Sequence, residues 1–320
     1  MNPRFNPAML ILGREARGLT QTKLAEACGI GQSALSKIEA GSQEAGEDLQ
    51  RTFAERLDYP INFFFLSPPN QGQSTLCFHH RKRTSMPARD LKLAHARLNI
   101  IALRVESLCR SVQIDWAGDL PKFDPDETPG GASGVAKQVR EMWELASGPI
   151  SNLCATVENH GILVIRIPFS STKLDGISRV APGHLPIVIL NKRMPTDRLR
   201  WTLAHELGHI IMHHFGSSDA EAEADRFAAE FLMPEEDISE SFATGLSLQT
   251  FYGMKPTWRV AMSALARRAH DLRFLSDREY RNIMILMSKR GWRKEEPVQL
   301  SPERPTVVSR MLTFHTEHLG

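Results

Sequence analysis

The spacing of hydrophobic residues in residues 1–66 predicts a small helical domain. Apolar positions recur three and four residues apart in four short segments, as expected for amphipathic helices. Thr20 precedes the second segment and Gly29 ends it, while the third segment runs over residues 32–40 and ends at Gly41. These starts and stops favour four short helices joined by tight turns.

The next part of the chain loses this regular pattern and then regains it. Residues 67–76 are rich in Pro, Gly and Ser, which predicts a boundary, and the basic stretch "FHHRKRT" follows. A long amphipathic pattern from Ala88 to about Ile114 predicts one helix, and residues 117–134 are typical of a loop. We interpret residues 67–130 as a linker and helical connector.

The remainder of the chain has a mixed α+β pattern. The β-branched runs "ILVIRIPF" and "LPIVILN" predict short strands. Helical periodicity predicts further helices over residues 135–145, 149–161, 196–214, 219–232 and within 257–290. We therefore predict a mixed α+β domain at residues 131–255 and a C-terminal helical extension at 256–320, whose tail after Pro297 shows no clear periodicity.

Composition narrows the class of protein without assigning a function. The 320 residues are 42% hydrophobic and 24% charged, as in ordinary globular proteins, and a net charge of +2 neither predicts nor excludes nucleic-acid binding. We find no signal peptide and no apolar run long enough to span a bilayer, so we expect a cytoplasmic protein without a membrane partner. The four cysteines form no C-x-x-C pair, which favours reduced thiols.

The sequence "TLAHELGHIIMHH" (residues 202–214) contains a candidate metal site. His205 and His209 lie one helical turn apart, so their imidazoles can bind one Zn²⁺ ion from the same face. Glu206 is placed to act as a general base. Leu203 and Leu207 lie on the opposite side. We expect the apolar side to pack into the core and the histidines to face a cleft.

A catalytic zinc site needs a third protein ligand, and the best candidate is Glu221 in "SSDAEAEADRFAAEFLMP". Asp225, one turn further on the same side, could accept the outer N–H of a ligating histidine. Glu223 is expected on the other side, towards solvent. Glu221 could instead form a capping box with Ser218, which leaves Glu223 and His213 as possible alternative ligands.

These residue types favour metal-assisted hydrolysis of a peptide bond. Zinc lowers the pKa of water to about 7 and polarises a carbonyl, and Glu206 could transfer the proton of the water to the leaving amine. The strand predicted within Leu185–Leu190 could bind an extended peptide along an exposed edge. Candidate donors to the negatively charged intermediate are His184, His213, Tyr252 and Arg259.

The segment "TQTKLAEACGIGQSALSKIEAG" (residues 20–41) has the order of small, glycine, apolar and polar positions that is typical of a helix-turn-helix. Ala25 is small where two helices cross, and Gly29 permits the turn. Gln and Ser can read base edges of double-stranded DNA, and Lys can contact phosphates. The candidate DNA-binding residues are Gln21, Gln32, Ser33, Ser36 and Lys37. Because such domains read paired half-sites, we expect a homodimer.

Both motifs resemble known families. Residues 8–65 resemble XRE-type (Cro/C1) helix-turn-helix domains through "TQTKLAEACGIGQSALSKIEAG". Residues from about 130 to 255 resemble ImmA/IrrE-type zinc metallo-endopeptidases through "RLRWTLAHELGHIIMHH" and "EAEADRFAAEFLMP". Regulators that join the two domains in this order also carry stretches similar to "FHHRKR", "GPISNL" and "GWRKEEP" of this chain.

The resemblance implies a gluzincin-like fold with His205, His209 and a downstream Glu as zinc ligands and Glu206 as base. It also implies a bacterial or phage regulator whose peptidase cleaves a helix-turn-helix repressor after DNA damage or another stress. Since a helix-turn-helix is fused to this chain, the substrate could be a partner repressor, a toxin–antitoxin component or the chain itself. The alternative hypothesis is a non-proteolytic transcription factor whose zincin-like domain acts as a sensor or dimerisation unit.

Overall fold

The computed structural model describes residues 4–67, 77–79, 88–112, 120–169, 174–180, 185–213, 219–243 and 245–318. These residues divide into two compact units, a helical one from the N-terminal part of the chain and a mixed α+β one that contains all the strands. The predicted fold class is thereby confirmed. No helix among the described residues combines the length and the apolar character that crossing a membrane requires.

The first unit contains the four short helices predicted from the periodicity. Thr20 caps the second of them, since its hydroxyl accepts a hydrogen bond from the Lys23 backbone N–H at 3.2 Å. Gly29 and Gly41 end the second and third helices with φ angles of +68° and +72°, which glycine adopts without strain. The helices are α1 (Pro7–Ala16), α2 (Gln21–Ala27), α3 (Gln32–Glu39), α4 (Glu47–Leu57) and α5 (Ala88–Val112), with a 3-10 helix at Ile61–Phe65 between the last two.

The core of the first unit is apolar and includes the long helix. Leu24, Leu35 and Phe53 are fully buried there, and Ala96 and Ile100 of α5 belong to the same hydrophobic cluster. Burial of each large apolar side chain contributes about 1.5–3 kcal/mol. The helix predicted as part of a connector therefore packs directly on the helix-turn-helix core.

The second unit contains four strands and nine helices within the described ranges. The strands are β1 (Cys77–His79), β2 (Leu163–Ile167), β3 (Gly176–Val180) and β4 (Ile187–Asn191). The helices are α6 (Gly131–Met142), α7 (Leu153–Asn159), α8 (Thr196–Met212), α9 (Ala220–Leu232), α10 (Glu235–Phe242), α11 (Leu248–Trp258), α12 (Met262–Asp271), α13 (Asp277–Lys289) and α14 (Val307–His318).

The strands form one mixed sheet in the order β1-β3-β4-β2. Strand β4 is parallel to β2 and antiparallel to β3, and β1 pairs antiparallel with β3. Every residue of β4 is buried. The prediction that Leu185–Leu190 offers an exposed edge is therefore wrong, because β4 has a neighbouring strand on each side.

Two strands and three helices were not predicted. In β3, "GISRV" has a glycine, a serine and an arginine among five residues, which leaves no apolar alternation to detect. Helix α11 contains Pro256, and α14 lies in the tail that shows no clear periodicity. The Glu158 carboxylate accepts hydrogen bonds from the backbone N–H groups of Thr306 and Val307, so a distant residue stabilises the start of α14. Strand β1 and helix α10 are the other two elements that were not predicted.

Candidate metal centre

The centre is built on α8 and α9, which pack closely against each other. A Cβ atom at Gly208 would lie 3.1 Å from Cδ1 of Phe227 and 3.3 Å from Cα of Ala224. Glycine at this position therefore permits the short distance between the two helices. His205 and His209 are themselves buried where α9 covers α8.

Three side chains converge between these helices. The Nε2 atoms of His205 and His209 are 3.1 Å apart. The two carboxylate oxygens of Glu221 lie 3.6 Å from His205 Nε2 and 3.5 Å from His209 Nε2. Among the described residues, these three form the group of His, Cys, Asp and Glu side chains that could hold a metal ion. The Glu221 side chain is 59% exposed, so the group opens to solvent on that side.

The dimensions of this triangle fit a tetrahedral ion. Zinc binds histidine nitrogen and carboxylate oxygen at about 2.0–2.2 Å, which gives tetrahedral edges of roughly 3.3–3.5 Å between ligand atoms. The three separations of 3.1, 3.5 and 3.6 Å are close to those edges. Two imidazoles and one carboxylate are also the donor types that suit zinc, and three protein ligands leave one position for a reactant.

Glu206 lies next to this group and is held by the sheet. Its Oε2 atom accepts a hydrogen bond of 2.6 Å from the hydroxyl of Ser178 on β3, and both side chains are fully buried. The sheet reaches this position because β3 carries Gly176, where a Cβ atom would lie 2.7 Å from Cγ2 of Thr202. Sequence reasoning missed Ser178, since a single serine in a short strand carries no signal.

The outer nitrogen of His205 faces a carboxylate. Nδ1 of His205 lies 2.9 Å from Oδ1 of Asp225, and the Trp201 indole N–H donates to the same oxygen at 3.3 Å. A neutral histidine that ligates through Nε2 carries its proton on Nδ1 and can donate it to Asp225. Asp225 is thus placed where it can fix the tautomer and the orientation of the His205 ring.

His213 and Glu223 lie behind His209. Nδ1 of His209 is 2.8 Å from Nδ1 of His213, whose Nε2 is 2.9 Å from Oε2 of Glu223. The expectation that Glu223 faces solvent is wrong, because this residue is only 7% exposed. The apolar stripe of α9 suggested one buried face, but the end of α8 covers a second one.

Electrostatics distinguish the two histidines of the triangle in the metal-free protein. Burial alone would lower the pKa of His205, but the hydrogen bond to Asp225 and the nearby Glu221 carboxylate outweigh it and raise that pKa to about 9. Burial lowers the pKa of His209 to about 4, since the hydrogen bond to Glu221 offsets only part of the desolvation. Burial alone would raise the pKa of the Glu221 carboxyl, but the two histidines beside it outweigh burial and hold that pKa well below its usual range.

These pKa values predict how metal binding depends on pH. His205 holds a proton below pH 9 that an ion must displace, whereas His209 is already neutral above pH 5. We expect the affinity for Zn²⁺ to rise about tenfold per pH unit between pH 6 and 8 and to level off above about pH 9. Competition titrations against a chromophoric chelator in non-coordinating buffers measure this slope. A flat profile would contradict the proton displacement at His205.

Two of the remaining candidates for stabilising a negatively charged intermediate, Arg259 and Tyr252, lie among the described residues. Arg259 donates hydrogen bonds of 3.4 Å to Ser301 O and to Glu303, and the Tyr252 ring lies 6.4 Å from that of Trp292. His184 lies outside the described residues, as does Ser218 of the possible capping box.

The candidate DNA-binding residues lie at the surface of the first unit. Gln32, Ser33 and Lys37 of α3 are exposed, and Ser36 and Gln21 are half-buried. The side-chain amides of Gln32 and Gln21 are held in place by hydrogen bonds. Gln32 Nε2 donates to Gln21 Oε1 at 3.0 Å, and Gln21 Nε2 donates to the buried Glu39 at 2.7 Å. Glu39 in turn accepts two hydrogen bonds from Arg14 in the core. The first turns of α2 and α3 are thus held together.

Comparisons with known proteins match both units. Residues 11–64 match the helix-turn-helix family, and residues 157–270 match the peptidase family described as the IrrE N-terminal-like domain. No curated protein matches the chain. The first match covers α2, α3 and α4, and the second covers strands β2 to β4 together with both helices of the candidate metal centre. The two resemblances seen in the sequence are confirmed.

Proposed function

This chain joins a helix-turn-helix domain to an IrrE N-terminal-like peptidase domain, and we propose that it is a DNA-binding regulator with zinc-dependent endopeptidase activity. The observation that carries the proposal is the convergence of His205, His209 and Glu221 beside Glu206. In this arrangement zinc would have two imidazoles and one carboxylate as protein ligands.

The proposed reaction is hydrolysis of a peptide bond. A bound zinc ion would polarise the scissile carbonyl and increase the acidity of water. Glu206 accepts a proton from the attacking water and later returns it to the leaving amine, so the carboxylate is regenerated. The hydroxyl of Ser178 holds Oε2 of Glu206 and thereby orients the carboxylate for this transfer.

The proposed DNA-binding surface is the exposed side of α3. Gln32 and Ser33 lie at its N-terminal end, where recognition helices contact base edges, and Lys37 lies one turn further. The hydrogen bonds from Gln32 to Gln21 and from Gln21 to Glu39 fix the orientation of these amides before DNA binds. Two such domains would read paired half-sites of an operator as a homodimer.

The proposed substrate is a protein that shares this regulatory context. We infer a helix-turn-helix repressor or an antitoxin-like protein, which the DNA-binding domain would bring close to the peptidase at the operator. Cleavage would then relieve repression in response to stress, phage induction or toxin–antitoxin signalling. The chain itself, which carries such a helix-turn-helix, belongs to the same class of substrate.

Removal of the metal tests this proposal. We expect the purified chain to contain about one zinc per monomer, and chelation should abolish cleavage of repressors encoded beside it, with recovery on addition of Zn²⁺. DNA binding by the first unit should survive chelation, and tryptophan fluorescence should show that the second unit, which carries the metal centre, remains folded. Cleavage that persists in metal-free protein would contradict the zinc mechanism.

A further inference from the structure

A hydrogen-bonded chain of two side chains lies behind His209. His213 is 2% exposed and sits at the C-terminal end of α8, where its backbone N–H donates to His209 O at 3.1 Å. Its ring connects Nδ1 of His209, 2.8 Å away, to the Glu223 carboxylate, 2.9 Å away. Glu223 is located in the first turn of α9, so the chain links the two helices of the centre.

Only one distribution of protons over the His209–His213–Glu223 hydrogen bonds leaves Nε2 of His209 free of a proton and able to bind an ion. If Nε2 of His209 supplies its lone pair to an ion, the proton of the ring is on Nδ1 and is donated to His213. The proton of His213 is then on Nε2 and is donated to Glu223. The opposite arrangement, with His213 donating to His209, would place the proton of His209 on Nε2 and block ligation.

The carboxylate behind His209 is more deeply buried than Asp225, the carboxylate behind His205. The Asp225 side chain is 48% exposed, so water can replace part of its role, whereas the Glu223 side chain is only 9% exposed. A carboxylate in a low-dielectric surrounding polarises the hydrogen bonds that lead away from it more strongly. The charge of Glu223 should therefore reach His209 with little screening.

We propose that His213 and Glu223 form a positioning pair that fixes the tautomer of His209 and increases the affinity of its Nε2 for the metal ion. The pair does not contact the ion or the substrate. This inference rests on the proposed zinc function and assigns a role to two residues that the ligand triangle itself does not include. The competing explanation is purely structural, with the pair only joining the end of α8 to α9.

Zinc affinity in a double-mutant cycle separates the two explanations. Glu223→Gln keeps the shape of the side chain but removes its charge, and we expect the zinc dissociation constant to increase about tenfold. His213→Asn keeps an acceptor for His209 but interrupts the link to Glu223. In that background Glu223→Gln should have almost no further effect, because the charge no longer acts through the ring.

The matched control is Glu230→Gln, which removes another buried carboxylate from α9. Glu230 pairs with Arg268, so this change should lower the thermal stability and leave the zinc affinity within about twofold of the original. The positioning role is overturned if Glu223→Gln leaves the zinc affinity unchanged, or if it weakens the zinc affinity by the same factor with and without His213→Asn. It is also overturned if Glu230→Gln changes the zinc affinity as much as Glu223→Gln does. Absence of zinc binding in the unmodified protein would instead overturn the proposed function itself.

If a variant is poorly folded, cobalt(II) provides a second measurement on the folded fraction. The visible absorption of bound Co²⁺ reports the geometry of the ligands independently of any cleavage assay. We expect Glu223→Gln to shift this spectrum and Glu230→Gln to leave it unchanged. Identical spectra for the unmodified chain and Glu223→Gln would contradict the positioning role.

Discussion

Replacement of Glu206 by Gln is expected to lower the rate of peptide cleavage by about 10²–10⁴-fold while zinc and DNA remain bound. The amide cannot accept the proton of the attacking water, so the reaction loses its general base. Gln has the same shape as Glu, and its oxygen can still accept the hydrogen bond from Ser178, which lies 2.6 Å from Oε2 of Glu206. The fold and the ligand triangle should therefore persist.

Single-turnover cleavage of a candidate repressor, measured with zinc content and operator binding on the same sample, tests this expectation. The matched control is Glu240→Gln, an exposed residue of α10 in the same unit, which should cleave at the original rate. Unchanged cleavage in the zinc-bound Glu206→Gln variant would refute the enzymatic assignment. The non-proteolytic transcription factor would then be the better hypothesis.

Replacement of Glu303 by Ala is expected to destabilise the second unit by about 3–5 kcal/mol, because it leaves a buried charge without its partner. Arg200 on α8 is fully buried, forms an ion pair with Glu303 and donates to Ile150 O at 2.7 Å. Glu303 also accepts hydrogen bonds from the backbone N–H groups of Leu153 and Cys154, at the start of α7. One substitution thus removes both an ion pair and a helix cap.

Chemical denaturation monitored by tryptophan fluorescence measures this loss. Glu317→Ala is the matched control, since Glu317 is an exposed glutamate of α14 in the same C-terminal segment and should change stability by less than about 0.5 kcal/mol. An equal effect of the two substitutions would contradict a structural role for the buried pair. Total stabilities of folded proteins are about 5–15 kcal/mol, so the expected loss is a large fraction.

The same contacts show how the C-terminal residues support the metal centre. Glu296 and Asp197 both accept hydrogen bonds from the buried ammonium group of Lys255, and Glu303 neutralises Arg200. Asp197 and Arg200 belong to α8, the helix that carries His205 and His209. The segment predicted as a helical extension therefore stabilises the helix on which the proposed chemistry depends.

The sequence by itself predicted the features that depend on local spacing. The i, i+4 spacing places His205 and His209 on one face of α8 whatever surrounds the helix. The same kind of reasoning gave the helix-turn-helix, because Thr20 and Gly29 act on backbone groups within a few residues. Short apolar runs rich in β-branched residues likewise predicted β2 and β4.

Only the tertiary structure determined which side chains meet across these elements. Ser178 and Glu206 are 28 positions apart, and Arg200 and Glu303 are 103 apart, so no local period relates them. The burial of Glu223 also depends on another helix. The sequence pattern of α9 leaves this face polar, but the C-terminal end of α8 covers it. Periodicity fixes the direction of a side chain relative to its own helix, whereas burial and partners depend on how separate elements pack.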